Sequence, residues 1–249
     1  MSGIDFVGLG VLLLFLILLL IFTFINRRRP VEFRKIAAFE DLETAIERAV
    51  EAGERVHFSL GTGSVIGSDS APALSGLAML SHIAPMTSMS DKPVVVTTGD
   101  GAMTKLAQET LRTAYDKAKA SVQYRPTYGR LLGPTPFSYV AGIPLLLDTE
   151  DVSVHVLVGS FGVEGALAAD IAQRQQAFVL AGTDDVQSQA LLYATVENSL
   201  IGEEVFAGGA YFDISPLHRA SLRVQDAVRL LIVAAILIGT LLRTLGVSL

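Results

Sequence analysis

Apolar positions are spread unevenly along the chain. Two nearly unbroken apolar runs lie toward its ends, and between them short apolar strings alternate with stretches of helical period. The first run, Ile4 to Ile25, is 22 residues long with one charge, Asp5; from Leu9 it reads LGVLLLFLILLLIFTFI. At about 1.5 Å per residue it can cross a hydrocarbon core about 30 Å thick. A cleaved signal peptide would carry positive charge before the run and a small-residue cleavage site after it. Here Arg27, Arg28 and Arg29 come after the run and no A-x-A pattern follows, so an uncleaved membrane helix is expected over residues 4–26. The second run, Ala227 to Gly246, has an uncharged core of 13 residues, Leu230 to Leu242, between Arg229 and Arg243. A core that short also suits a buried amphipathic helix. Leu230 to Leu249 nevertheless holds one charge, Arg243, whose side chain can snorkel to the far headgroups, and a second membrane helix is expected over residues 227–246.

The middle of the chain, residues 39–215, has the grammar of an α/β domain. Phe39, Leu42, Ala45, Ile46, Ala49 and Val50 share one helical face, and Gly53 marks a stop. Arg55–Leu60 follows as a short strand, then Gly61-Thr-Gly63-Ser-Val-Ile-Gly67 and a helix from Ala71 to Ile83. Three further units repeat the pattern: strand Pro93–Thr98 with helix Met103–Ala120, strand Val152–Val158 with helix Val163–Gln173, and strand Ala177–Ala181 with helix Val186–Glu197. Each strand ends at a glycine turn. Such alternation predicts βαβ units, and so a Rossmann-like, mostly parallel sheet with helices on both faces; the strand order stays open. Val122 to Pro144 breaks the pattern with four prolines, three glycines, and Tyr124, Tyr128, Phe137 and Tyr139. It reads as a long loop: an active-site cover, a subunit-contact arm or a plain crossover. Gly202 to Ile214 reads as a last strand or hairpin, broken by Ser215-Pro216.

Composition sharpens this picture. Apolar residues make up 51% of the 249 and charged residues 18%, below the roughly 25% charge of soluble domains. The absence of cysteine excludes disulfides, thiolate metal sites, Fe–S clusters and cysteine nucleophiles. Charge is segregated. Residues 36–215 hold 10 Lys/Arg against 22 Asp/Glu, and the rest of the chain holds 9 against 3. The acidic head argues against a nucleic-acid partner. Its second half, where Arg174 is the only basic residue between Leu131 and His218, could meet a basic protein or simply stay soluble. Arg27, Arg28, Arg29, Arg34 and Lys35 follow the first run, and Arg219, Arg223 and Arg229 precede or open the second. These form a membrane-surface collar, with residues 27–38 and 216–226 as linkers. By the positive-inside rule the head is cytoplasmic and both termini lie outside the cytoplasmic membrane.

Candidate chemistry lies on the loops after the strands, the edge where open α/β sheets bind ligands. Gly61, Gly63, Ser64, Asp100 and Gly159 form the candidate ligand site, with a nucleotide or other phosphate as the ligand that helix N-termini would take. The dinucleotide fingerprint is imperfect: the third glycine falls one residue late, and no acid ends a strand about 20 residues on. No P-loop pattern is present, and no cofactor is named by these loops. Asp69, Asp100, Asp184 and Asp185 could bind Mg²⁺, but Asp184 and Asp185 sit as helix caps and Asp100 in a turn. His57, His82, His155 and His218 have no zinc spacing, and His57 and His155 read as packed strand residues. Ser64, Ser68, Ser70 and Ser160 lack the G-x-S-x-G elbow, so no catalytic residue is indicated.

Ser59-Leu-Gly-Thr-Gly63, Thr97-Thr-Gly-Asp-Gly101 and Gly159-Ser-Phe-Gly-Val-Glu-Gly165, set between two membrane helices, resemble uncharacterised bacterial two-span membrane proteins with a domain of unknown function. That resemblance implies the architecture and no catalytic residues. Two function classes follow. One is a membrane-anchored, homo-oligomeric structural or accessory protein, with Ala234, Ala235 and Gly239 as a close-packing face; an accessory subunit of a larger membrane complex is a variant of it. The other is a tethered ligand-binding or enzymatic head using the glycine loops.

Overall fold

The computed structural model describes residues 6–28, 34–67, 69–212 and 216–245. The chain begins with α1 (Phe6–Arg28) and α2 (Ala37–Ala52), then runs through β1 (Arg55–Gly61), α3 (Ser70–Thr87), β2 (Val95–Thr98), α4 (Gly101–Lys117) and β3 (Gly129–Leu131). It continues with α5 (Pro136–Glu150), β4 (Val152–Ser160), α6 (Glu164–Arg174), β5 (Phe178–Gly182), α7 (Val186–Thr195), β6 (Asn198–Leu200), α8 (Glu204–Tyr211) and α9 (Pro216–Thr244). Helices α1 and α9 make one compact unit and residues 34–212 another.

The head is built on a six-stranded, all-parallel sheet in the order β3-β2-β1-β4-β5-β6. The strand order reverses between β1 and β4, as in doubly wound dinucleotide-binding folds. Period-2 alternation divides β1 between the two faces. Val56, Phe58 and Leu60 point to one face, where Gly76 of α3 lies against Leu60. His57 and Ser59 point to the other, where Ser59 meets Tyr139 of α5. Helices α2, α4 and α8 complete the α3 layer, and α5, α6 and α7 cover the opposite face with Ile143, Leu147, Ala168, Ala172 and Leu192. The strands are short and apolar because both faces are covered.

Two expectations need correction. Val122–Pro144 is not one long loop: it contains β3 and the first nine residues of α5. Pro136 occupies the first turn of α5, where a missing N–H costs nothing, and Thr135 with Ser138 forms a capping box there. Tyr139, Val140, Ile143, Leu146 and Leu147 keep the helical stripe through Pro144. Of the four aromatics, Tyr139 is buried, Tyr124 and Tyr128 pack beside buried Tyr115, and Phe137 is exposed. Gly202 to Phe212 is not a strand or hairpin but a turn followed by α8; residues 213–215 lie outside the described residues. Glu204 closes the start of α8 by accepting from the Ile201 N–H, and Gly208 lets it approach Met79 of α3. The stretch 216–226 is helical and runs without interruption into the second apolar segment as α9.

Both terminal helices are long and apolar enough to cross a membrane. Within this unit Ala220 and Val224 of α9 are buried, whereas a side chain at Gly239 would meet open space, so the small-residue spacing is not used between α1 and α9.

Candidate functional site

The loops after β1 and β4 leave toward opposite layers, α3 on one side and α6 on the other, and so part at the switch point. There the structure brings Gly61, Gly63 and Gly159 together. Gly61 has φ +73°, and a Cβ on it would lie 2.0 Å from the Ser160 carbonyl oxygen. A Cβ on Gly159 would lie 2.1 Å from the Leu60 carbonyl oxygen. These two glycines let the ends of β1 and β4 approach more closely than side chains allow, where the pairing register shifts. Backbone bonds then tie the edge: Thr62 N–H donates to Ser160 O (3.1 Å) and Gly99 N–H to Gly61 O (2.8 Å). Gly63 is packed between the Asp69 carbonyl and Ser160, each 2.7 Å from where its Cβ would stand. Ser64 is half-buried in the same loop, and Ser68 lies outside the described residues. Asp100 sits on the neighbouring loop and caps α4, accepting from Met103 N–H at 2.9 Å.

The helix N-termini at this edge are mostly occupied by the chain's own groups. Asp100 serves α4, the Thr135 hydroxyl serves α5, and Asp185 serves α7 through Ser188 N–H and its hydroxyl, which hold the Asp185 carboxyl below its usual range. At α6, buried Glu164 turns back to accept from Gly162 N–H at 2.8 Å. Helix α3, which follows the glycine-rich loop, has no side-chain cap. Asp184 is exposed beside Asp185. Among the described residues no group of three or more His, Asp or Glu gathers in a metal-ligating arrangement.

Beneath the edge lies a buried polar cluster. His57 and His155 are paired in register on β1 and β4, with ring centroids 4.6 Å apart and no exposure. His57 Nε2 meets Thr97 Oγ1 at 2.9 Å, and the Tyr139 hydroxyl meets Thr97 Oγ1 at 2.6 Å and Ser59 Oγ at 2.5 Å. Neither ring nitrogen of His155 has a hydrogen-bond partner among the described residues. Burial lowers both imidazoles, His155 to about 3, and the neighbouring His155 and Arg130 lower His57 further. Burial likewise raises the Tyr139 phenol to about 12. Sequence reading placed both histidines in strands but did not join them; a histidine near the start of each of two apolar strands, third in β1 and fourth in β4, is the signal that could have. Tyr139 was hidden in the supposed loop. His82 stacks on Phe212 and lies 3.4 Å from Glu43, and His218 is on α9.

The basic residues divide. Arg34 pairs with Glu204 at 2.6 Å and Lys35 with Glu40 at 3.0 Å, both within the head. Arg27 and Arg28 close α1, and Arg29 lies outside the described residues. Arg219, Arg223 and Arg229 are on α9, where the Arg223 guanidinium lies 5.0 Å from the Phe22 ring centre and Arg229 lies 3.5 Å from Asp226.

A family model described as a domain of unknown function (DUF6754) matches residues 5–249, and the chain belongs to that family. Comparison with curated proteins and with solved structures gives no match.

Proposed function

We propose that this family member is a membrane-anchored structural or accessory protein whose head associates with further copies of itself through the C-terminal edge of the sheet. The observation that carries the reading is an apolar rim over an edge whose polar groups are largely satisfied from within. Four strand-to-helix junctions present an exposed apolar side chain in the loop or the first helical turn: Ile66 at 88%, Phe137 at 73%, Val163 at 53% and Val186 at 77%. Such residues scattered singly need no explanation, but grouped on one edge they fit a protein contact. The head sits in the cytoplasm, with α1 and α9 crossing the membrane and both termini outside, because the basic residues flank the head at both junctions. No catalytic step is part of this reading.

Nanodisc-extracted protein is expected to form a closed homo-oligomer by mass photometry and negative-stain imaging. The double change Ile66→Asp with Val186→Asp should lower the mass while leaving the head's melting temperature near that of the wild type, since both side chains are exposed. A monomeric wild type would overturn the reading.

A second reading is favoured by the uncapped N-terminus of α3 at the β1–β4 switch point. Here a phosphate-bearing small ligand is held by the 61–67 loop, with Ser64 contributing its hydroxyl. It predicts that a nucleotide raises the melting temperature of the head and that Ser64→Ala removes the rise. No shift across a nucleotide panel counts against it.

A further inference from the structure

Helices α5, α6 and α7 lie side by side over one face of the sheet, and their outward sides are apolar. All three begin at the C-terminal edge, so their turns fall level. Phe137, Ala141 and Leu145 run down α5, Val163 and Leu167 down α6, and Val186, Ala190 and Tyr193 down α7. Each row has helical spacing and lies opposite the stripe that packs on the sheet. Away from the edge, Leu145 is 69% exposed, Leu167 50% and Tyr193 66%. Charge is nearly absent: α7 has no charged residue, and on α6 Asp170 and Arg174 pair with each other at 2.7 Å. The other layer is built as surface helices ordinarily are. There α2 exposes Glu40, Glu47 and Glu51, and α4 exposes Lys105, Glu109 and Arg112. A helix that is apolar on both sides belongs in an interior.

We infer that the outer face of α5, α6 and α7 is a two-fold contact between the heads of two copies of this chain, with α6 packed on α6. Area and charge select this occupant. An aromatic side chain carries about 150–250 Å² and an aliphatic one somewhat less, so the exposed apolar groups of this face offer on the order of 700 Å². That exceeds the roughly 300–600 Å² of the largest patch on a monomer and approaches the roughly 800 Å² that each partner gives to a stable interface. An anionic lipid surface is refused, because Arg174 is the only arginine or lysine between Leu131 and His218 and Asp170 already pairs with it. A self-complementary contact needs no opposite charge, and this face has almost none to match. Whichever way a two-fold axis runs within the face, the middle helix of one copy falls on the middle helix of the other. Leu167 stands level with Ala141 and Ala190 on the flanking helices, so the second copy's Leu167 meets low ground on either side. Such an axis can run along the membrane normal, so both copies keep one topology. The inference rests on the self-association proposed above and adds to the rim a separate contact on the face below it.

The chain has no cysteine, so single cysteines report proximity directly. In native membranes, a short bis-maleimide is expected to cross-link the full-length Leu167→Cys variant into a dimer and to leave Glu109→Cys, on the charged layer, uncross-linked. Adding Leu145→Lys with Tyr193→Lys to Leu167→Cys should abolish the dimer, whereas Ile66→Asp, which touches the rim alone, should leave it in place. The contrast between positions 167 and 109 stands whatever the double change does to folding. Equal cross-linking at both positions, a dimer that survives the two lysines, or a link from position 167 to a different protein overturns the inference. An oligomer that does not cross-link at position 167 overturns it and leaves the rim reading standing; a monomer without cross-links overturns both.

Discussion

Acidification from pH 7 to pH 4.5 is expected to lower the head's folding stability by several kcal/mol, with His57 and His155 as the main cause. Both imidazoles are buried without exposure, so both are neutral in the folded chain, whereas in the unfolded chain they titrate near 6.5. Above pH 6.5 both states are neutral at these positions and nothing is lost. Below it the unfolded state takes up protons that the folded state refuses, down to about 3 for His155. His155 alone then costs about 1.4 kcal/mol per pH unit, about 3 kcal/mol over two units, and His57, held well below its ordinary value by burial, adds to the loss, against a typical total of about 5–15 kcal/mol. Denaturant titrations from pH 7 to 4.5 would measure the loss. His155→Phe is the diagnostic variant. Because no ring nitrogen of His155 is bonded among the described residues, its removal sacrifices no hydrogen bond and should leave stability at pH 7 unchanged or raised. The acid slope should fall by about 1.4 kcal/mol per pH unit, one such group being gone. An unchanged slope would mean that the carboxylates govern acid unfolding.

The same pair marks how far the sequence was legible. Long-period signals survived: the four central strands, their following helices and the two apolar helices are where pattern reading places them, because burial on both faces leaves continuous apolar strings and long apolar runs have few alternative uses. What failed was short or locally disguised. Strands β3 and β6 are three residues each at the sheet margins, too short for alternation to register. Helix α5 begins in a Pro-rich stretch whose third proline, Pro136, starts the helix and whose last, Pro144, is carried inside it. Helix α8 is glycine-rich because it packs tightly on Met79, and that glycine content mimicked a turn. The candidate site divides the same way. Gly61, Gly63 and Gly159 do converge, but Asp100 is engaged as a helix cap, and the polar cluster of His57, Thr97, Ser59 and Tyr139 depends on tertiary neighbours that no local pattern encodes.

Convergence of glycines invites a ligand explanation, and Gly159→Ala separates it from a packing one. The new methyl carbon would stand 2.1 Å from the Leu60 carbonyl oxygen and 2.5 Å from its carbon. Those are backbone atoms of the adjoining strand, so no rotamer change relieves the clash; β1 and β4 must separate at the switch point. The expected cost is about 3 kcal/mol or more, at the upper end for overpacking, and it should appear in the free head with no ligand added. Gly101→Ala is the matched control. Its Cβ would meet nothing, its φ is not positive and it opens α4, so the change should be neutral or stabilising by up to about 1 kcal/mol. If both variants melt with the wild type, the strand ends can part without cost, and glycine at 159 would then be better explained by the approach of a bound phosphate. If Gly159→Ala alone collapses, the glycines serve the chain's own closure. The edge is then a finished surface, and its apolar rim becomes the part left to account for by contact with another protein.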